Sequence, residues 1–190
     1  MITKTRTTKE TDITISLDVQ GSGKSSIETG VGFLDHMLES FSKHSLIDLN
    51  IICKGDTHID DHHSVEDVGI VLGSLLAEAL YPVKNVERFG SANIVMDEAL
   101  VSCDLDLSNR PFLVMQLTPT GKVGNFDTEL VEEFFRAFVL NARISAHIVE
   151  IRGKNKHHII EAAFKSLAVA LRRATTKNDR VGIPSTKDVL

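Results

Sequence analysis

His62-His63-Ser64-Val65-Glu66 runs into an apolar stretch that ends at Leu80, and His157-His158-Ile159-Ile160-Glu161 runs into a second that ends near Leu171. On a helix, adjacent residues diverge by about 100°, while residues four apart lie one above the other. His62 with Glu66, and His157 with Glu161, can each close on one ion, which leaves His63 and His158 to reach a second. Imidazole plus carboxylate is a donor set for a divalent transition metal. A lone His-His pair is usually incidental. Two HHxxE cassettes, each opening a helix, read as a paired or pseudo-symmetric metal centre.

The chain around the cassettes repeats as well. Ile13, Ile15, Leu17 and Val19 alternate with polar residues as in a half-buried strand, Gln20 to Ser25 is a turn, and Ser26 to Thr29 returns as a strand. Phe33, Leu34, Met37, Leu38 and Phe41 keep a helical period to about Lys43, and Asp48 to Lys54 reads as a strand. Asp60 and Asp61 supply an N-cap and charge for a helix from His62 to Leu80, which Pro82 stops. The second half predicts strands at Ala92–Met96, Ala99–Asp106 and Phe112–Leu117, a turn-rich piece at Thr118–Asn125 and a helix from about Thr128 to Ala142. A strand at Arg143–Ile151 and a helix at His157–Arg173 follow. Phe33 to Phe41 aligns with Phe126 to Phe134, which sets Glu129 opposite His36. A repeat this long reads as duplication. The expected fold is α+β: duplicated half-domains, each a small, mostly antiparallel sheet carrying two helices, packed helices-inward as a sandwich. Residues 1–190 form one domain of two repeats, about 1–90 and 91–190.

Composition bounds the function. The chain has 190 residues, 42% hydrophobic and 25% charged, the balance of a soluble globule able to bury roughly 70% of its unfolded surface. A net charge of −5, with no local concentration of Lys and Arg, argues against nucleic acid. No run is long enough for a membrane span, and Met1 to Asp12 is a polar start without a signal-peptide core. Cys53 and Cys103, in no paired motif, read as buried free thiols of a reducing cytoplasm.

Other motifs are weighed against plainer readings. His36, on the first short helix, and His147, on the strand before the second cassette, are candidate third ligands. His44, after a helix end, and His58, in the Gly55–Asp61 loop, read as solvated histidines. Val68, Val71, Leu72, Leu75 and Leu76 are core, and Gly69 and Gly73 form a small face for close helix packing. Gly21-Ser22-Gly23-Lys24-Ser25 looks like part of a phosphate loop, but the required glycine five residues earlier is Asp18. No helical pattern follows, so it reads as a hairpin turn.

FLDHM at Phe33 to Met37, HIDDHHSVED at His58 to Asp67, FDTELVEEFFRAF at Phe126 to Phe138, HHIIEAAFK at His157 to Lys165 and PSTK at Pro184 to Lys187 closely resemble the imidazoleglycerol-phosphate dehydratase family. The resemblance runs from near Thr7 to the C-terminus. It implies dehydration of imidazole glycerol phosphate to imidazole acetol phosphate and water in histidine biosynthesis, by a monofunctional cytoplasmic enzyme. Some relatives carry a fused phosphatase domain, for which this chain is too short. The resemblance also implies a homo-oligomer of 24 subunits with sites between protomers and two Mn²⁺ per active site. Carried over residue by residue, one ion would be held by His36, His63, His157 and Glu161, and the other by His62, Glu66, His147 and His158.

The same resemblance assigns Glu10, in Thr8-Lys9-Glu10-Thr11, as acid/base and substrate contact, where a plain reading makes it a surface charge. It assigns Arg88, Arg110, Lys165, Ser185 and Lys187 to the substrate phosphate, since guanidinium and ammonium groups make charge-assisted bonds to phosphate oxygens. The plain reading for the cations is a surface ion pair. Asp188 stands where relatives commonly have Gly, which marks a different local tail. The chemistry implied is a dimetal-bound imidazolate that expels the neighbouring hydroxyl to a diazafulvene-like intermediate, with the metals as Lewis acids and template.

Two other classes fit the bare ligands. A dinuclear hydrolase would turn over phosphate esters, and a non-catalytic protein using metal at subunit contacts would bind the ion without turnover. The order of the motifs favours neither.

Overall fold

The computed structural model describes residues 1–187; Asp188 lies outside the described residues. Strands β1 (Ile2–Thr7), β2 (Thr11–Asp18), β3 (Ser25–Glu28) and β4 (Asp48–Gly55) form one sheet in the order β1-β2-β4-β3. Helix α1 (Gly32–Ser45) connects β3 to its parallel neighbour β4, and α2 (His62–Leu80) follows β4. The second half repeats this: β5 (Phe89–Met96), β6 (Ala99–Asp106), β7 (Phe112–Gln116) and β10 (Ser145–Arg152) form a sheet in the order β5-β6-β10-β7. There α3 (Leu130–Ala142) links β7 to its parallel neighbour β10, and α4 (Lys156–Ala174) follows. The two-stranded piece β8 (Lys122–Val123) and β9 (Phe126–Asp127) is the one addition to the second half.

The layers follow from alternation along the strands. In β2, Ile13, Ile15 and Leu17 are buried beneath α2, while Thr14 and Ser16 are half exposed. Helix α2 lies on the first sheet and along α3; α4 lies on the second sheet and across α1. The expected helices-inward sandwich is what forms. Its seam is aromatic: Phe134 and Phe135 stand 5.1 and 4.6 Å from Phe164, and Phe41 stands 5.8 Å from Phe138 across the halves. Gly69 and Gly73 let α2 approach α3. A Cβ on Gly73 would sit 2.4 Å from the Phe138 carbonyl oxygen.

Several expectations are corrected. Strand β1, for which the sequence raised no expectation, carries no apolar alternation. It is an exposed edge strand held by cross-strand polar pairs: Thr3 to Ser16 (2.7 Å), Thr5 to Thr14 (3.1 Å) and Thr7 to Asp12 (2.8 Å). The Gly21–Ser25 turn is no hairpin, because β4 lies between the strands it joins. It does cradle an anion, though one of the protein's own: Asp48 Oδ1 accepts the backbone N–H of Ser22 (2.7 Å) and Lys24 (2.9 Å). The Lys24 and Ser22 amides hold the Asp48 carboxyl below its ordinary value.

The repeat register also shifts. Leu46 and Arg143 are matching left-handed C-caps, and Asp48 and Ser145 begin the matching strands, so His36 stands opposite Glu133 rather than Glu129. The error is about one helical turn, which periodicity cannot detect because residues four apart share a face. His44 lies inside the last turn of α1 and is half-buried. Burial, with Lys165 and Arg172 nearby, disfavours its protonation.

Gly73→Ala should destabilise the fold by about 1–3 kcal/mol, because the new methyl meets backbone that cannot rotate away. Urea midpoints check this; an unchanged midpoint would mean that α2 and α3 can part freely.

Candidate metal and substrate site

Two helix starts deliver the central cluster. Asp35 accepts the Thr29 N–H (2.9 Å) and hydroxyl (2.5 Å), which fixes the first turn of α1 beside His36. Asn155 caps α4, its Oδ1 accepting the N–H of His157 (2.9 Å) and His158 (3.4 Å). Where α1 crosses α4, His36 Nε2 lies 3.4 Å and His157 Nε2 3.1 Å from Glu161 Oε2. The donor atoms of these three residues lie within 4.8 Å of one another. Adjacent ligands on an octahedral ion with bonds of roughly 2.1 Å stand about 3 Å apart, so the trio fits one face of a divalent cation.

Glu161 is 6% exposed, and a buried carboxylate needs partners. Burial pushes its carboxyl up, but the Lys165 ammonium, 2.8 Å from Oε1, and the facing His36 and His157 override this and hold it below its ordinary value. Lys165 thus occupies one oxygen and leaves the other to the histidines.

The α2 cassette is placed by Asp60, whose Oδ1 accepts the His62 N–H at 2.9 Å. Asp61 occupies the N-cap position with helical backbone angles and makes no side-chain cap bond, which corrects the shared capping role. His62 Nε2 lies 3.7 Å from Glu66 Oε2. His63 turns elsewhere: its Nδ1 is 3.1 Å from both Asp56 oxygens, and its Nε2 is 3.8 Å from Glu10 Oε1. His158 Nδ1 is 2.8 Å from Glu98 Oε2, and its Nε2 is 3.8 Å from Asp97. Asp56 raises the pKa of His63 and Glu98 that of His158. The Asn155 amide and then the His158 ring draw the Glu98 carboxyl down to about 2. His147 is exposed on β10 between buried Ala146 and Ile148, on the sheet face away from α4, with Phe112 beside it (6.5 Å). Within one chain, the expected ligands therefore form a trio, a His62–Glu66 pair, and three histidines held apart from both.

Arg88, Arg110, Ser185 and Lys187 do come together, lining an open cavity of about 880 Å³ between the β6–β7 loop and the C-terminal segment. Lys165 is not among its lining residues; it sits on Glu161 instead. Arg88, with φ 70°, forks onto Asp106 at 2.7 and 3.0 Å and donates to the Pro184 carbonyl at 2.6 Å. That last bond ties the segment bearing Ser185 and Lys187 to the sheet. Arg110 is 70% exposed, 3.9 Å from Asp106, and its side chain faces the opening. Its loop is fastened by the Tyr81 hydroxyl, which accepts the Asn109 N–H (3.1 Å), and by Ser108, whose hydroxyl takes the Arg110 N–H (3.1 Å).

Sequence reasoning missed Asp106, Asp56, Glu98 and Tyr81. Only Asp106 left a trace, as an acid four residues before Arg110. Glu98 and Tyr81 act across loops distant in sequence, and Asp56 acts through the fold of the loop that precedes α2.

A family model described as imidazoleglycerol-phosphate dehydratase matches residues 29–171. The imidazoleglycerol-phosphate dehydratase of Sulfurimonas denitrificans is 81% identical over 190 residues, covering 100% of both chains. The solved structure of the Staphylococcus aureus dehydratase is 46% identical with a TM-score of 0.83, covering 94% of this chain and 100% of that one. That of Pyrococcus furiosus is 40% identical with a TM-score of 0.85, covering 98% and 100%.

Arg88→Met should free the C-terminal segment and remove both hydrogen bonds to Asp106, leaving it only the exposed Arg110, which destabilises the chain by about 1–3 kcal/mol. Trypsin should then cut after Lys177 and Arg180 faster than in the wild type; equal cleavage rates would show that the Pro184 contact does not hold the segment.

Proposed function

The chain belongs to the imidazoleglycerol-phosphate dehydratase family, and from that premise we propose how its residues divide the work of the reaction. The activity is that of a hydro-lyase in histidine biosynthesis, removing water from imidazoleglycerol phosphate. The observation that carries the assignment of residues is the convergence of His36, from one half, with His157 and Glu161, from the other.

We assign His36, His63, His157 and Glu161 to one Mn²⁺ and His62, Glu66, His147 and His158 to a second. The three separated histidines support a site completed between copies of the chain, and we read the assembly as the family's 24-mer. When bound, the two ions would supply Lewis acidity and a template for the substrate. The phosphate end sits in the cavity where Arg110, Lys187 and Ser185 offer donors and Asp106 holds Arg88 rigid. Lys165 keeps Glu161 ionised and oriented, and in the assembly it also serves the phosphate.

The substrate carries a hydroxyl on the carbon next to the ring and a second on the following carbon. Loss of the ring N–H proton lets the ring expel the first hydroxyl as water, giving a diazafulvene-like intermediate. Glu10, its carboxylate beside His63, takes the proton from the second carbon; the electron pair returns to the ring, whose nitrogen regains a proton. The resulting enol tautomerises to the ketone of imidazole acetol phosphate. We read the whole chain as one dehydratase unit of two repeats meeting near residue 90, working in the cytoplasm. Two free buried thiols support a reducing compartment, and among the described residues no helix is long and apolar enough to cross a membrane.

Chelation should abolish dehydration of imidazoleglycerol phosphate and added Mn²⁺ should restore it; a folded, Mn²⁺-loaded protein without turnover would sink the mechanism. Glu10→Gln should lower kcat by about 10²–10⁴-fold with metal content unchanged, the range for loss of a general base. His157→Ala should weaken turnover and assembly together, as read by activity and by mass in solution.

A further inference from the structure

The first histidine of each cassette has its partner on its own helix, while the second is held from outside it. His158 Nδ1 meets Glu98 of the β5–β6 turn at 2.8 Å, and His63 Nδ1 meets Asp56 of the β4–α2 loop at 3.1 Å. Two loops unrelated in sequence thus bring a carboxylate to the same ring nitrogen of corresponding histidines in the two halves.

We propose that Glu98 and Asp56 are positioning residues of the metal centre: each accepts the Nδ1–H of its histidine, fixes that tautomer and leaves a bare Nε2 for the ion. The inference rests on His158 and His63 being ligands, as assigned above. A neutral imidazole carries one N–H, and a metal needs the nitrogen without it. An ionised carboxylate can only accept, so it selects the Nδ1–H form. Nε2 of His63 faces Glu10 and that of His158 faces Asp97, both at 3.8 Å, too far for a hydrogen bond.

Glu98 also has a structural task, and its two oxygens keep the roles apart. Oε1 accepts the N–H of Lys154 (3.1 Å) and Asn155 (2.7 Å), fastening the turn to the start of α4, while Oε2 serves the histidine. In Glu98→Gln the amide oxygen stays on the two backbone N–H groups, since turning the NH₂ toward them would set donor against donor. The NH₂ then faces Nδ1, which must accept, and the ring proton moves to Nε2. The anchoring of the turn survives and the ligand is lost. Among the described residues both Asp56 carboxylate oxygens hydrogen-bond to His63 alone, so in Asp56→Asn the amide rotates to keep its oxygen on Nδ1–H. That variant loses charge but not the tautomer.

The test is Mn²⁺ titration of the chelated full-length protein, with the metal-free melting midpoint and pulsed EPR of the bound Mn²⁺ to count coupled histidine nitrogens. Glu98→Gln should bind Mn²⁺ about 10–100-fold more weakly, with one coupled nitrogen fewer and an unchanged metal-free midpoint. Asp56→Asn should fall short of that loss, and Asp56→Ala should exceed Asp56→Asn. Wild-type affinity and nitrogen count in Glu98→Gln would overturn the proposal. If Glu98→Gln does not fold, wild-type affinity in Asp56→Ala overturns it instead. His63→Ala and His158→Ala separate the two readings. If they leave Mn²⁺ binding intact, the ligand assignment fails and this proposal with it. If they weaken binding while the carboxylate variants do not, the positioning role alone fails.

Discussion

Glu161 is a carboxylate buried in the seam between two halves of a duplicated chain, and a charge in that place persists only if its neighbours answer it. Lys165 does so from one turn further along α4, His157 from one turn before, and His36 from α1 in the other half. The apolar seam of Phe41, Phe134, Phe135, Phe138 and Phe164 sets how α1 and α4 cross, and so whether His36 arrives. Core packing and site geometry are therefore one constraint. An interior at native density cannot shift a helix by part of an ångström without moving a donor atom.

Each half places its cassette by the same topology with different chemistry. In each sheet the last strand in chain order, an interior one, feeds a helix whose first turn carries two histidines. The first is started by Asp60, the second by Asn155. The outside carboxylate comes from the β4–α2 loop in one half and from the β5–β6 turn in the other. A backbone inherited in duplicate constrains where ring nitrogens point, and different loops can meet that demand. Among the described residues, the cavity beside Arg88 and Arg110 has no such counterpart. It is built from the β6–β7 loop and the C-terminal segment, joined through Arg88.

How much of this was legible depended on whether the signal was periodic. α2 read correctly to both ends, because a charged start, an apolar face and Pro82 all marked it. β6 did as well, because its alternation is strict. β1 did not, since Thr–Thr and Thr–Ser pairs stabilise an edge strand without writing hydrophobicity into the sequence. The two-residue strands β8 and β9 are too short to show a period. The candidate ligand types stood out because HHxxE occurs twice. Asp56 and Glu98 did not, because an isolated acid in a loop looks like any surface charge.

By itself the sequence determined the strongly periodic elements, such as α2 and β6, and the helices-inward α+β sandwich, while the resemblance of its motifs identified the family. The elements follow from local periodicity and residue chemistry, which act over one or two turns of helix or strand. Only the tertiary structure decided which donors meet. It set His36 beside His157 and Glu161, turned His63 to Asp56 and His158 to Glu98, left His147 facing outward, and gave Lys165 to Glu161 rather than to the cationic cavity. His36 with Glu161 and His158 with Glu98 join elements far apart in the chain, while His63 with Asp56 depends on how a short loop folds back. A slip of one helical turn, as in the match of His36 with Glu129, leaves every local pattern intact while moving a side chain by about 5.4 Å.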